Sequence, residues 1–171
     1  MLSNNYYRRS FIIFQARDRN YNSSDGKEPA GYCKMEIRKD KVQAYIYIQN
    51  LKKGRYDLFV ASNIKGVLPQ YLISIQMADE GRGEFTFDFD TGNVCGSGHS
   101  IEKYHSIAVA DRLQGSTGNI EIKYPLVGFA NKRINVDWTG QATPLIKSMY
   151  ERINSHESAK EKTDDLKQAD E

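Results

Sequence analysis

The chain has 171 residues, of which 39% are hydrophobic, 11% aromatic and 27% charged, with a formal charge of +2. That length suits one domain plus a tail and allows a core that needs no disulfide staples. The near balance of charge gives no electrostatic pointer to nucleic acid, two cysteines are too few for a disulfide framework, and no apolar run approaches membrane-spanning length.

The N-terminal stretch MLSNNYYRRSFIIFQ carries four consecutive apolar residues after its arginines, too few for a signal peptide, so the cytosol is the expected compartment. Tyr7 to Ala16 is predicted as a first strand. Its run Phe11-Ile12-Ile13-Phe14 is apolar on both faces, which implies cover on both sides. Arg17 to Ala30, RDRNYNSSDGKEPA, is rich in turn formers and is expected to be a disordered surface insertion.

Three strands joined by two polar turns follow. In Tyr32 to Arg38, Cys33, Met35 and Ile37 alternate with Lys34, Glu36 and Arg38, a period of two that excludes an amphipathic helix. Lys39-Asp40-Lys41 turns the chain into Val42 to Gln49. There Val42, Ala44, Ile46 and Ile48 share one face and Tyr45 and Tyr47 the other, as expected of an interior strand. Asn50 to Gly54 is the next turn. In Arg55 to Ala61, Tyr56, Leu58 and Val60 oppose Asp57, Phe59 and Ala61. Turns this short make the strands antiparallel neighbours.

Tyr71 to Met77 is a fifth predicted strand, after a loop ending near Pro69. Glu84 to Phe89 is the sixth and alternates most cleanly, with Phe85, Phe87 and Phe89 on one face. Asp90 to Ser100, DTGNVCGSGHS, is a second long loop. His105 to Asp111 and Asn119 to Tyr124 complete the set, with Pro125 expected to end the last strand or mark an edge. Leu126 to Phe129, Val136 and Trp138 add a final apolar patch. Many short strands with turn signals between them, and no intervening helices, predict an all-β antiparallel β-sandwich of about eight strands.

The pattern changes at Ala142. Leu145, Ile146, Met149, Tyr150 and Ile153 have helical spacing, with Thr143 placed to cap and Pro144 suited to the first turn. The last fifteen residues hold six acids and three lysines, a net −3 that leaves +5 on the rest of the chain. Too little apolar surface remains there to offset ordering entropy. The expected organisation is therefore a β domain over 1–140, an amphipathic helix over 141–155 and a disordered tail over 156–171.

Few residues of the chain point to catalytic or metal chemistry. His99, His105 and His156 lack metal-ligand spacing, so no metal and no cofactor are expected. Cys95 and His99, four apart in a glycine-rich loop, match no nucleophile–base signature. CGSGHS lacks the lysine and the following helix of a phosphate loop. Asp88, Asp90 and Asn93 crowd together in FDFDTGN as calcium ligands would, but Asp90 to Asn93 also makes a good turn by itself. Tyr6, Tyr7, Arg8, Arg9, Arg17 and Arg19 form a basic-aromatic cluster that a solvated strand edge explains as well as nucleic acid does. Tyr45 and Tyr47 read as sandwich core or, alternatively, as a stacking platform for a sugar or base.

The stretches GYCKMEIRKDKVQAYIYIQNLKKGRYDLFVA and GRGEFTFDFDTGNVCGSGHSIEKYHSIAVA carry a resemblance. Through Gly31 to Lys34, Gln49 to Leu51, Tyr56, Gly81 to Glu84 and Gly98 to Glu102, the chain resembles a group of uncharacterised domains from Clostridium-type spore-forming bacteria. The resemblance spans roughly Tyr7 to Trp138. It implies a compact β domain and carries no catalytic residue across.

The expected function is that of a non-catalytic interaction or structural module, not an enzyme, with an unidentified protein partner. The helix docks either on its own sandwich or in a partner groove, with Leu145, Met149 and Ile153 as anchors in the second case. The alternative is a sandwich that binds a small ligand or carbohydrate, using loops 17–30 and 90–100 if they meet at one end, with Tyr45, Tyr47, Asp90 and Asn93 as contacts.

Overall fold

The computed structural model describes residues 6–131, 140 and 142–153. Eight strands run in chain order: β1 Tyr7–Ala16, β2 Ala30–Arg38, β3 Lys41–Gln49, β4 Gly54–Ala61, β5 Gln70–Met77, β6 Gly83–Asp90, β7 Ser106–Gln114 and β8 Ile120–Phe129. A helix, α1, covers 142–153. All strand pairs are antiparallel and form one sheet in the order β5-β4-β7-β8-β1-β2-β3-β6. The sheet curls until its end strands β5 and β6 approach each other, which makes it nearly closed and barrel-like. A short 3-10 turn, Val94–Gly96, lies against both end strands, and Val94 is fully buried there.

The period of two decides what fills the interior. Ile12 and Phe14 of β1, Cys33, Met35 and Ile37 of β2, and Val42, Ala44, Ile46 and Ile48 of β3 all point inward and are buried. Tyr56, Leu58 and Val60 of β4 meet them from across the interior, with Ile107 and Val109 of β7. Phe89 is buried, and Phe85 and Phe87 pack against the same core.

A second, smaller core lies outside the sheet. Phe59 and Ala61 of β4, Ala108 and Ala110 of β7, and Val127 of β8 face Ala142, Ile146 and Tyr150 of α1. Alanine at 61, 108 and 110 keeps this outer surface low, so a helix can approach the backbone closely and bury one stripe. The helix is thus docked on its own sheet. Residue 140 is already helical, three residues before the expected cap, and the Thr143 hydroxyl sits 2.8 Å from that of Tyr124.

Three expectations need correction. Pro125 does not end the last strand; β8 continues through it to Phe129. Leu126 pairs with Val109 but Lys123 pairs with Asp111, so Tyr124 and Pro125 together oppose Ala110. At such a bulge the extra residue owes no ladder bond, and the missing proline N–H costs nothing. The Pro125 carbonyl instead accepts from the Arg17 N–H at 2.9 Å.

Secondly, the 17–30 segment is no loose insertion. Asp18 caps a 3-10 turn at Arg19–Tyr21, and the buried Tyr21 donates its hydroxyl to Asp111 at 2.6 Å. Its carbonyl takes the Lys52 N–H at 3.0 Å. Thirdly, the apolar run in β1 does not imply cover on both faces: Phe11 and Ile13 are 54% and 60% exposed, whereas β3 is the interior strand expected of it, paired with β2 and β6. The apolar patch expected at Val136 and Trp138 and the tail expected over 156–171 lie outside the described residues.

Both cysteines are free thiols. Cys33 is fully buried in the interior, and burial pushes its thiol up to about 12, whereas Cys95 is exposed. A thiol reagent at neutral pH is expected to modify Cys95 in the folded protein and Cys33 only after unfolding in urea, because the thiolate is the reacting form. Equal rates at both positions would contradict the fold.

Candidate functional site

The outward residues of β1, β2, β3 and β6 form a grid set by the strand register. One row reads Ile13, Tyr32, Tyr47, Glu84, and the next reads Phe11, Lys34, Tyr45, Thr86. A third reads Arg9, Glu36, Gln43, Asp88, and the last reads Tyr7, Arg38, Lys41, Asp90. The first two rows bring five large apolar or aromatic side chains together on the outside of the sheet. Tyr32 is their hub. Its ring centroid lies 6.1 Å from Phe11, 6.2 Å from Tyr45 and 5.6 Å from Tyr47. The rings are tilted to one another by 56°, 43° and 31° in the same order, so the surface is ridged rather than flat.

Charge borders this patch on one side. Glu36 sits among three cations, with Arg9 and Arg38 at 3.3 Å and Lys34 at 3.8 Å. Lys34 also lies 5.3 Å from the Tyr45 ring centroid, where the ring face attracts it. Around Glu36 itself three cations face one carboxylate, a local excess of positive charge. Tyr47 donates to Gln49 at 3.1 Å, which fixes the opposite edge of the patch.

The four ligand-contact candidates do not converge. Tyr45 and Tyr47 belong to the aromatic rows. Asp90 lies two rows below Tyr45 and pairs with Lys41, and the Asn93 side-chain amide oxygen accepts the Gly98 N–H at 2.7 Å within its own loop. Loops 17–30 and 90–100 sit at opposite ends of the sheet. The first is bridged to Leu51 beyond the end of β3, and the second begins where Thr91 bonds the β2–β3 turn at Asp40. The basic-aromatic cluster is partly split: Arg9 donates to the Tyr7 hydroxyl at 3.1 Å as well as meeting Glu36, but Arg8 pairs with Glu102 at 3.6 Å and Arg17 lies over Phe129.

The helix anchors divide too. Leu145 and Ile153 remain exposed, at 40% and 49%, while Met149 packs partly against the outer core. Met149 and Ile153 border a cleft between α1 and the β4–β5 surface. Among the described residues no group of three histidine, cysteine or acidic side chains could hold a metal ion. Among them, too, no helix is long and apolar enough to cross a membrane.

Sequence reasoning missed Phe11, Ile13 and Tyr32 as parts of a surface. Each strand shows apolar residues on both faces, and only the cross-strand register reveals that the outward ones are neighbours. By class the molecule is an antiparallel, barrel-like β domain with one docked helix and an uncovered aromatic face. No protein-family model matches the chain, and no curated protein does.

Proposed function

We propose that the protein is a non-catalytic interaction module that receives a protein partner on the outer face of β1, β2 and β3. The observation that carries this reading is the contiguous group Phe11, Ile13, Tyr32, Tyr45 and Tyr47, with Phe11 and Ile13 more than half exposed. Exposed apolar clusters with a polar rim are characteristic of interaction surfaces, and tyrosine, phenylalanine and arginine are favoured in them. The tilted rings suit interdigitating side chains better than a flat sugar or base, which stacks on one open ring face.

We read the sheet as a flattened barrel whose halves β5-β4-β7-β8 and β1-β2-β3-β6 face each other as the two layers of a sandwich would. The shared core of inward residues from both halves supports this. Two unpaired thiols favour the cytosol as its compartment.

The test is co-purification of the full-length protein from its native cell, comparing wild type with the double variant Phe11→Ala, Ile13→Glu. Both sites are exposed, so stability should change by no more than about 0.5 kcal/mol each. Partner recovery should fall about tenfold or more, as for loss of interface anchors. Leu145→Ala should recover the partner fully. Unchanged recovery with the double variant, or loss only with Leu145→Ala, discards this face as the interface.

A further inference from the structure

We propose that the cleft between α1 and the outer surface of β4 and β5 binds a small, flat molecule bearing a phosphate or carboxylate group. This site is separate from the aromatic face and independent of its role. The cleft has a volume of about 420 Å³, within the range of small-molecule sites, roughly 300–1,000 Å³.

Its floor is a chain of hydroxyls organised by one carboxylate. Asp57 points outward from β4 by the same alternation that buries Leu58. One of its oxygens accepts the Ser74 hydroxyl and the other the Tyr150 hydroxyl. The Tyr71 hydroxyl lies 2.7 Å from that of Ser74. Among the described residues, the only acidic group lining the cleft is thus already committed to donors on β5 and α1.

Two guanidinium groups stand over this floor. Arg55 donates to the Ser74 oxygen at 3.3 Å, and Arg112 lies 4.7 Å from the centre of the Tyr150 ring. Neither is in a salt bridge with a carboxylate among the described residues. Two cations against one engaged carboxylate make the cleft positive. Each guanidinium has five N–H donors in a planar fork that fits the oxygens of a phosphate or carboxylate. The walls are apolar: Phe59 and Tyr71 meet edge to face at 5.9 Å, with Met149 and Ile153 on the helix side. An anionic head on the arginines and a flat body along these rings satisfy both surfaces.

The competing account is that Arg112 serves only to hold Tyr150 and so α1. Calorimetric titration of the full-length protein with phenyl phosphate, benzoate and phenol separates the two. At least one of the two anions should saturate the protein, and the tighter one identifies the head group; phenol should not bind. Arg55→Gln, which gives up a hydrogen bond to Ser74 of β5, and Arg112→Gln should each weaken that binding about tenfold. Arg82→Gln, in the β5–β6 turn, should leave it unchanged. Melting curves of each variant report whether α1 stays docked. The proposal is overturned if neither anion saturates below about 10 mM, if phenol binds as well, or if Arg55→Gln binds like wild type.

Discussion

Tyr150→Ala is expected to release α1 from the sheet and to cost about 3–5 kcal/mol, the range for truncating a buried aromatic. Tyr150 is only 5% exposed, and its ring meets Phe59 edge-on at 6.0 Å while Arg112 covers its other surroundings at 4.7 Å. The substitution removes this packing and strips one Asp57 oxygen of its donor. Tyr150→Phe keeps the ring and loses only the hydroxyl, so it should cost about 1–2 kcal/mol. Urea unfolding together with the far-ultraviolet helix signal measures both. An alanine variant as stable as wild type would mean that the outer core contributes nothing to folding.

The same side chain sets an alkaline limit. Burial, and then the hydrogen bond to Asp57, hold the Tyr150 hydroxyl well above its ordinary value of 10.0. A raised value means that the folded state keeps its proton where the unfolded chain has lost it. The stabilisation is therefore complete below pH 10 and declines as the pH climbs beyond it. Tyr21, Tyr45, Tyr56 and Tyr124 are shifted in the same direction, chiefly by burial, so the wild-type decline combines all five. In Tyr150→Phe the slope of stability against pH above about 10 should be shallower. An identical slope would show that this hydroxyl titrates normally.

Gly31→Ala is expected to be the most damaging single-methyl change, at about 3 kcal/mol or more, the upper end for overpacking a tight site. A Cβ at Gly31 would stand 2.2 Å from the Tyr47 carbonyl oxygen and 3.1 Å from the Ile48 Cα. Both atoms belong to the backbone of the paired strand, so no rotamer change relieves the clash. Neighbouring strands lie about 4.8 Å apart, and separating them here breaks the Tyr32–Tyr47 pairing on which the aromatic face rests. Gly92→Ala, where nothing lies within 4 Å, is the control and should be near neutral. Equal melting temperatures for the two variants would contradict the β2–β3 register.

Local alternation made much of this legible in advance. In β4 the sets Tyr56, Leu58, Val60 and Asp57, Phe59, Ala61 are separable by inspection, and the first lines the interior while the second faces α1 and its cleft. The helical stripe is equally plain, although its width misleads. Ile146 and Tyr150 are buried, whereas Leu145 and Ile153, one step around, stay in solvent. The cleft itself had no local signal, because Arg55 and Asp57, Tyr71 and Ser74, Arg112, and Tyr150 come from four separate segments.

The sequence by itself determined the strands, their antiparallel pairing through short turns, and a helix after them, because period and turn chemistry are properties of neighbouring residues. Only the tertiary structure decided which apolar faces are covered. Tyr45 beside Ala44 and Ile13 beside Ile12 look alike along the chain, yet one of each pair is buried and the other outward. Cover depends on which strands become neighbours and where a helix lands, and those contacts join residues far apart in the chain.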